Sequence, residues 1–415
     1  MSGKTFLRKR GAMLALLIFG LSLGAARAQQ ETLLYNFCAK RGCADGAGPE
    51  AGVILDQKGN LYGTTENGGN PRACDGYGCG VVFRLTPAGK ESIYSFCSQQ
   101  GCTDGAQPYA GLVFDHKGNL YGTTYGGGAY GNGTVFRITP EGKETVLYSF
   151  CAQHGCPDGA GPYAGVVLDT GGNLYGTTSL GGTSQNGTVF KLTPEGNETV
   201  LHSFCGQPCG DGSEPMAGLV FDQKGNLYGT TMQGGSGSGT LGNGIVFKLT
   251  PEGNETVLYS FCSRANCTDG SSPLSGLVLD RNGNLYGTTS AGGIGGQFGS
   301  GVVFKLTPEG RETVLYRFCT QTKCTDGAYP LAALVVGPNG NLYGTTDSGG
   351  STGIGGVVFE FTLQGKEEVL HSFGAQNNDG LAPQAGLVFD REGNLVGTTT
   401  TGGANHGGVV FKLAP

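Results

Sequence analysis

The chain has 415 residues, a formal charge of −6, 81 glycines, 14 cysteines and no tryptophan. An acidic chain without a Lys/Arg cluster speaks against nucleic acid and against an anionic membrane surface, both of which are held by cationic side chains. The glycines follow no Gly-X-Y period, which excludes collagen and points to many tight turns between short strands.

Residues 1–28 read as a secretory signal. Lys4, Arg8, Lys9 and Arg10 form a basic leader, and Ala12 to Leu23 form an apolar core. That core is shorter than the roughly 20 residues of a membrane span. Ala26-Arg27-Ala28 then gives a small-x-small cleavage pattern, so the mature chain is expected to start at Gln29. Cleavage removes five cations and no acid, which takes the formal charge from −6 to −11. No second apolar run of that length follows, so no transmembrane segment is expected after cleavage.

Residues 29–415 are organised by repetition, the first thing to look for in a chain of this kind. Gly-Asn-Leu-Tyr-Gly-Thr-Thr begins at Gly59, Gly118, Gly172, Gly225, Gly283 and Gly340, and recurs as Gly-Asn-Leu-Val-Gly-Thr-Thr at Gly393. In the second copy, Ala110 to Asp115, Asn119 to Thr124, Gly133 to Thr139 and Glu144 to Phe150 are short segments rich in Val, Leu, Tyr, Phe and Thr. Their length and composition predict strands rather than helices. Seven copies of four strands predict a single all-β domain, a seven-bladed β-propeller with four antiparallel strands per blade. Two connections in each copy are tight Gly turns and two are long and variable. Alternate connections of an up-down sheet share a face, so the long loops are expected together on one side of the disc, where binding residues usually sit.

The run Pro108-Tyr109-Ala110-Gly111-Leu112-Val113-Phe114-Asp115, continued by Gly118-Asn119-Leu120-Tyr121, resembles the innermost strand pair of NHL-type propellers. On that phasing Ala110 to Asp115 lines the central channel and Glu144 to Phe150 is outermost. The chain opens on an outer-strand copy, Glu31 to Phe37, which is expected to complete the last blade and remove the open edge. The Gly-Asn-Leu-Tyr-Gly-Thr-Thr, Val-Phe-Lys-Leu-Thr-Pro and Ala-Gly-Leu-Val motifs together resemble the tandem GloVer-repeat proteins, the choice-of-anchor family of exported bacterial proteins. The resemblance implies a secreted, periplasmic or surface protein and brings no activity with it. The C-terminal sorting tail frequent in that family is missing, which leaves surface attachment without support.

Cysteines in an exported chain read as disulfides. Local pairs are expected at Cys38/Cys43, Cys97/Cys102, Cys151/Cys156, Cys205/Cys209, Cys262/Cys267 and Cys319/Cys324, with Cys74/Cys79 in an insertion of the first copy. The seventh copy has none. Their spacing suits neither a zinc site nor Cys-x-x-Cys redox chemistry. An Asp-Gly pair in every copy (Asp45, Asp104, Asp158, Asp211, Asp269, Asp326, Asp379) reads as a turn cap, since a catalytic site needs unlike groups at one point. The Thr-Thr pairs read as strand residues, and His202 and His371, which replace a strand Tyr, as packing variants. The inner strands contain no Glu, His, Lys or Arg, so no catalytic residue, metal ligand or cofactor is expected.

Function is expected where the copies differ. The clearest break is the insertion at 70–79, whose Arg72, Asp75 and Tyr77 are the binding candidates; longer Gly/Ser loops at 236–243 and 294–300 are further breaks. The reading is a monomeric, non-enzymatic exported scaffold that presents loops to an extracellular glycan or protein. The alternative is a secreted lyase or hydrolase of streptogramin-lyase or lactonase type, which would need a His and a carboxylate converging in a pocket.

Overall fold

The computed structural model describes residues 1, 31–89, 91–206, 210–236, 242–294, 299–362 and 364–414, with the backbone alone at 91–93. The predicted signal segment after Met1, Cys209, and residues 237–241 and 295–298 of the two Gly/Ser loops lie outside the described residues.

Seven four-stranded antiparallel sheets and one two-stranded ribbon make up the β structure. In blade 2 the strands run from inside to outside as Val113–Phe114, Leu120–Thr124, Thr134–Ile138 and Glu144–Ser149. Blade 7 is assembled differently, from Val388–Phe389, Leu395–Thr399 and Val409–Leu413 with the N-terminal Glu31–Asn36 as its outer strand. Glu31 pairs with Leu413 and Asn36 with Val409, antiparallel, so the closing strand fits as expected.

The inner strands are shorter than expected. Only Val113 and Phe114 pair in blade 2, although the sequence suggests a strand from Ala110. The Ala110 carbonyl faces the neighbouring blade instead and accepts from the Thr64 hydroxyl of blade 1 at 2.8 Å. The same bond recurs at all seven interfaces, at 2.8–3.3 Å, and Thr398 to Ala51 closes the circle. The first Thr of each Gly-Thr-Thr is thus an inter-blade donor as well as a strand residue. The second caps its own loop, as Thr65 does on the Asn67 carbonyl.

Apolar packing repeats in the same way. Seven clusters of buried side chains alternate around the ring. At each interface the Phe that ends an outer strand meets the third-strand Phe of the next blade edge-on, at 5.0–5.2 Å. Such pairs add about 0.5–1.5 kcal/mol each beyond their buried area. The Gly of each Gly-Thr-Thr makes room for that ring: a Cβ at Gly122 would lie 2.6 Å from Phe136 Cζ. Around the channel the inner strands approach backbone to backbone, and a Cβ at Gly52 would meet the Gly386 carbonyl oxygen at 2.5 Å.

Six disulfides are formed among the described residues: Cys38–Cys43, Cys74–Cys79, Cys97–Cys102, Cys151–Cys156, Cys262–Cys267 and Cys319–Cys324. Outside the insertion, both cysteines of each pair have positive φ. A left-handed residue with a side chain costs about 1–2 kcal/mol, so the bridge holds a turn the backbone alone disfavours. Each disulfide loop leans on the glycine-rich loop of the blade it leads into, through bridges such as Ala47 to Asn67 and Ala106 to Gly126. The two long connections therefore share one face. Among the described residues no helix is long and apolar enough to cross a membrane.

Candidate functional site

Two positions in each blade border the channel on the long-loop face: the residue before the inner Ala-Gly pair (Ser-Gly in blade 5, Ala-Ala in blade 6) and the residue after Thr-Thr. From blade 1 to blade 7 the first is Glu50, Tyr109, Tyr163, Met216, Leu274, Leu331 and Gln384. The second is Glu66, Tyr125, Ser179, Met232, Ser290, Asp347 and Thr400. The ring is sevenfold in backbone and asymmetric in side chains. Blades 1 to 3 supply carboxylates and phenols, whereas blades 4 to 6 supply mostly apolar groups.

On the polar side these groups converge. Tyr109 Oη donates to Glu66 Oε1 at 2.8 Å, and Asn67 Nδ2 donates to Glu66 Oε2 at 2.9 Å. Tyr163 Oη of blade 3 reaches Glu50 Oε2 of blade 1 at 3.2 Å. The Tyr109 and Tyr163 rings stack at 4.9 Å with 19° between their planes, and Tyr125 stands edge-on to both. Further round, Gln384 Nε2 donates to Asp347 Oδ1 at 2.8 Å. Burial, and next the neighbouring Glu66, push the Glu50 carboxyl from 4.5 up to about 7. The Tyr109 and Tyr163 hydroxyls are pushed upward by burial and by the same carboxylates, so they stay protonated and donate. None of the fourteen positions is Lys, Arg or His.

This cluster flanks the inner strands rather than lying in them. Glu50 lies just before one, and Glu66 just after a Thr-Thr pair. The available signal was the contrast of Glu50, Tyr109 and Tyr163 with Met216, Leu274 and Leu331 at one repeat position. The residues singled out instead sit elsewhere. Arg72, Asp75 and Tyr77 are exposed on the insertion, Tyr77 by 76%. Among the described residues no side-chain hydrogen bond or ion pair joins the three.

The repeated Asp residues hold the rim. Asp45 accepts the Ala39 and Lys40 backbone N–H groups and the Tyr35 hydroxyl, each at 2.9 Å. It therefore caps the preceding disulfide loop rather than the turn before the following Pro. Tyr94, Tyr148, Tyr259 and Tyr316 bind their Asp in the same way. His202 takes the Tyr position with Nε2 3.2 Å from Asp211 Oδ2, its ring edge-on to Phe204. His371 packs likewise on Phe373. Among the described side chains, the first residue of the next outer strand comes up to these groups. Tyr94 Oη, for example, also reaches Glu144 Oε2 at 3.3 Å. Burial above all raises Glu144, Glu198, Glu255, Glu312 and Glu367 to about 7.

The other repeated Asp, before Gly-Asn, closes a tight turn: Asp115 Oδ1 accepts the Lys117 and Asn119 N–H groups. In blade 6 Gly337 replaces it, and Glu360 from the third strand accepts from Asn341 and Tyr343 instead. Grooves of about 330 and 420 Å³ open between these tight turns, one on each side of blade 1. They are lined largely by repeated turn residues such as Lys58, Pro87 and Pro140.

No curated protein matches the chain in sequence. Among solved structures, a streptogramin B lyase superposes with a TM-score of 0.61 at 15% identity, over 93% of this chain and 97% of that one. A catalytically inactive virginiamycin B lyase from Staphylococcus aureus, solved with quinupristin, gives 0.59 at 16% over 93% and 99%. At that identity the similarity establishes the fold alone. The Gloeobacter/Verrucomicrobia repeat model matches residues 17–241 and 236–415. With its seven copies of the same sheet, the chain belongs to the Gloeobacter/Verrucomicrobia repeat family.

Proposed function

We propose that this protein is exported through a cleaved signal at residues 1–28 and that residues 29–415 act as a monomeric scaffold binding a glycan at the mouth of the channel. The single observation that carries the reading is the Glu50–Glu66–Tyr109–Tyr125–Tyr163 cluster. Stacked phenol rings offer apolar faces to a sugar ring, and adjacent carboxylates accept its hydroxyls. A few converging polar groups beside aromatic side chains are usual in a small-ligand site. The lack of any cation at the mouth favours a neutral or amino sugar over an acidic one. The disulfides fit an oxidising compartment outside the cytoplasm.

A glycan microarray probed with the mature protein tests this. One sugar class should be retained, and retention should disappear in Tyr109→Ala and Tyr163→Ala. An array without a hit, or hits indifferent to both variants, would overturn the reading.

A second reading, a secreted lyase or hydrolase, is favoured by the Glu50/Glu66 pair. A carboxyl held protonated near neutrality beside a second carboxyl can serve as general acid. Among the described residues none of the five histidines joins the cluster, which favours binding over turnover. Product formation from an array ligand, lost in Glu50→Gln while binding persists, would select the enzyme.

A further inference from the structure

The rim departs furthest from its repeat at one junction. In the blade 6 loop the cysteine pair is missing, and the path from Phe373 to Asp379 is two residues shorter than that from Phe318 to Asp326. The strand residue that is Tyr in five copies is here His371. The shortened loop also withdraws the backbone donors that occupy the other Asp residues, and both oxygens of Asp379 are left without a hydrogen-bond partner. His371 Nε2 and Glu31 Oε1 have no hydrogen-bond partner either. All three side chains are more than nine-tenths buried, with exposures of 9% for His371, 8% for Glu31 and 1% for Asp379.

Burying polar atoms with no partner is costly unless something else satisfies them. The geometry indicates what would. His371 Nε2 lies 3.6 Å from Glu31 Oε2 and 3.6 Å from Asp379 Oδ1. The three ligand atoms all fall within 4.8 Å of one another. Tetrahedral zinc, with bonds of about 2.0–2.2 Å, separates its ligands by about 3.4 Å, so both separations from the imidazole are already close to that spacing. An imidazole with two carboxylates suits zinc, nickel or copper, and the imidazole argues against calcium or magnesium. The other His junction lacks this arrangement, because Asp211 is already engaged by the Cys205 and Gly206 N–H groups. The Cys79, Cys97 and Cys102 group elsewhere is tied up in disulfides and offers no thiolate.

We propose that Glu31, His371 and Asp379 bind one divalent transition-metal ion of the zinc class, with a water in the fourth position. The ion would clamp the N-terminal strand, which completes blade 7, to blade 6. It would lie beside the loop that lacks a disulfide, at the seam where the circle closes. This departs from the sequence expectation that the chain binds no metal.

Tag-free mature protein, stripped with EDTA and titrated with zinc chloride by calorimetry and in thermal unfolding, tests the site. Wild type should bind one zinc per chain and melt several degrees higher with it. Calcium and magnesium should have no effect. His371→Tyr, which restores the residue of five other copies, should fold and lose zinc affinity by about 100-fold or more. Cobalt in place of zinc should give visible d–d absorption in wild type and none in Asp379→Asn. Zinc binding unchanged in His371→Tyr, absence of one-to-one binding, or melting indifferent to zinc would overturn the proposal.

Discussion

Glu198→Gln isolates one carboxyl pair of the rim. Glu198 is half-buried, and burial first, then the Asp158 charge, lift its carboxyl from 4.5 to about 7. Because the folded value exceeds the unfolded one, the folded protein binds more protons between those limits. The resulting stability is fully present below about 4.5 and is lost as pH rises through about 7. Taken at face value the displacement corresponds to about 3.4 kcal/mol, at 1.36 kcal/mol per pH unit. Water still reaches the group, which cuts the contribution to about 1–2 kcal/mol. Gln is the neutral isostere, so the variant should match wild type at pH 4 and exceed it by about 1–2 kcal/mol at pH 8. Urea unfolding midpoints at the two pH values, with unchanged m, measure this. A variant less stable than wild type at pH 8, or one with the wild-type pH dependence, refutes the reasoning.

Three further outcomes follow from the ring. Gly52→Ala puts a Cβ against the Gly386 carbonyl and should cost about 1–3 kcal/mol, whereas Gly218, with nothing within 4 Å of a Cβ, should accept Ala at no cost; paired urea melts decide. Thr398→Val keeps the volume and leaves the buried Ala51 carbonyl without its donor, for an expected loss of about 1–3 kcal/mol that Thr123→Val should reproduce at an ordinary interface. Removing the Cys151–Cys156 bridge by a double Ala substitution should cost about 2 kcal/mol, the value for so short a loop, and leave far-UV circular dichroism unchanged.

The fold was legible because its determinants are local and repeated. Gly118-Asn119 announces its own turn, and the outer-strand copy at Glu31 shows that the final blade lacks one strand. The inter-blade bonds were not legible, since Thr64 and Ala110 meet only after two sheets pack. The mouth was hidden for the same reason: Glu50 and Tyr163 are 113 positions apart, and neither stands in a local motif. Sequence reasoning was drawn to Arg72, Asp75 and Tyr77 because an insertion is visible in one dimension, whereas convergence is visible only in three. His371 is visible in the sequence as a Tyr replacement, but the shortening of the loop beside it, which frees Asp379, gains meaning only from the bonds that the other Asp residues make.

A crystal structure of the mature protein with the best sugar from the array tests the functional account most directly. Ligand density against the Tyr109 and Tyr163 rings, with hydroxyls on Glu50 or Glu66, is the predicted result. Density on the Arg72–Tyr77 tip, with the mouth empty, would contradict it.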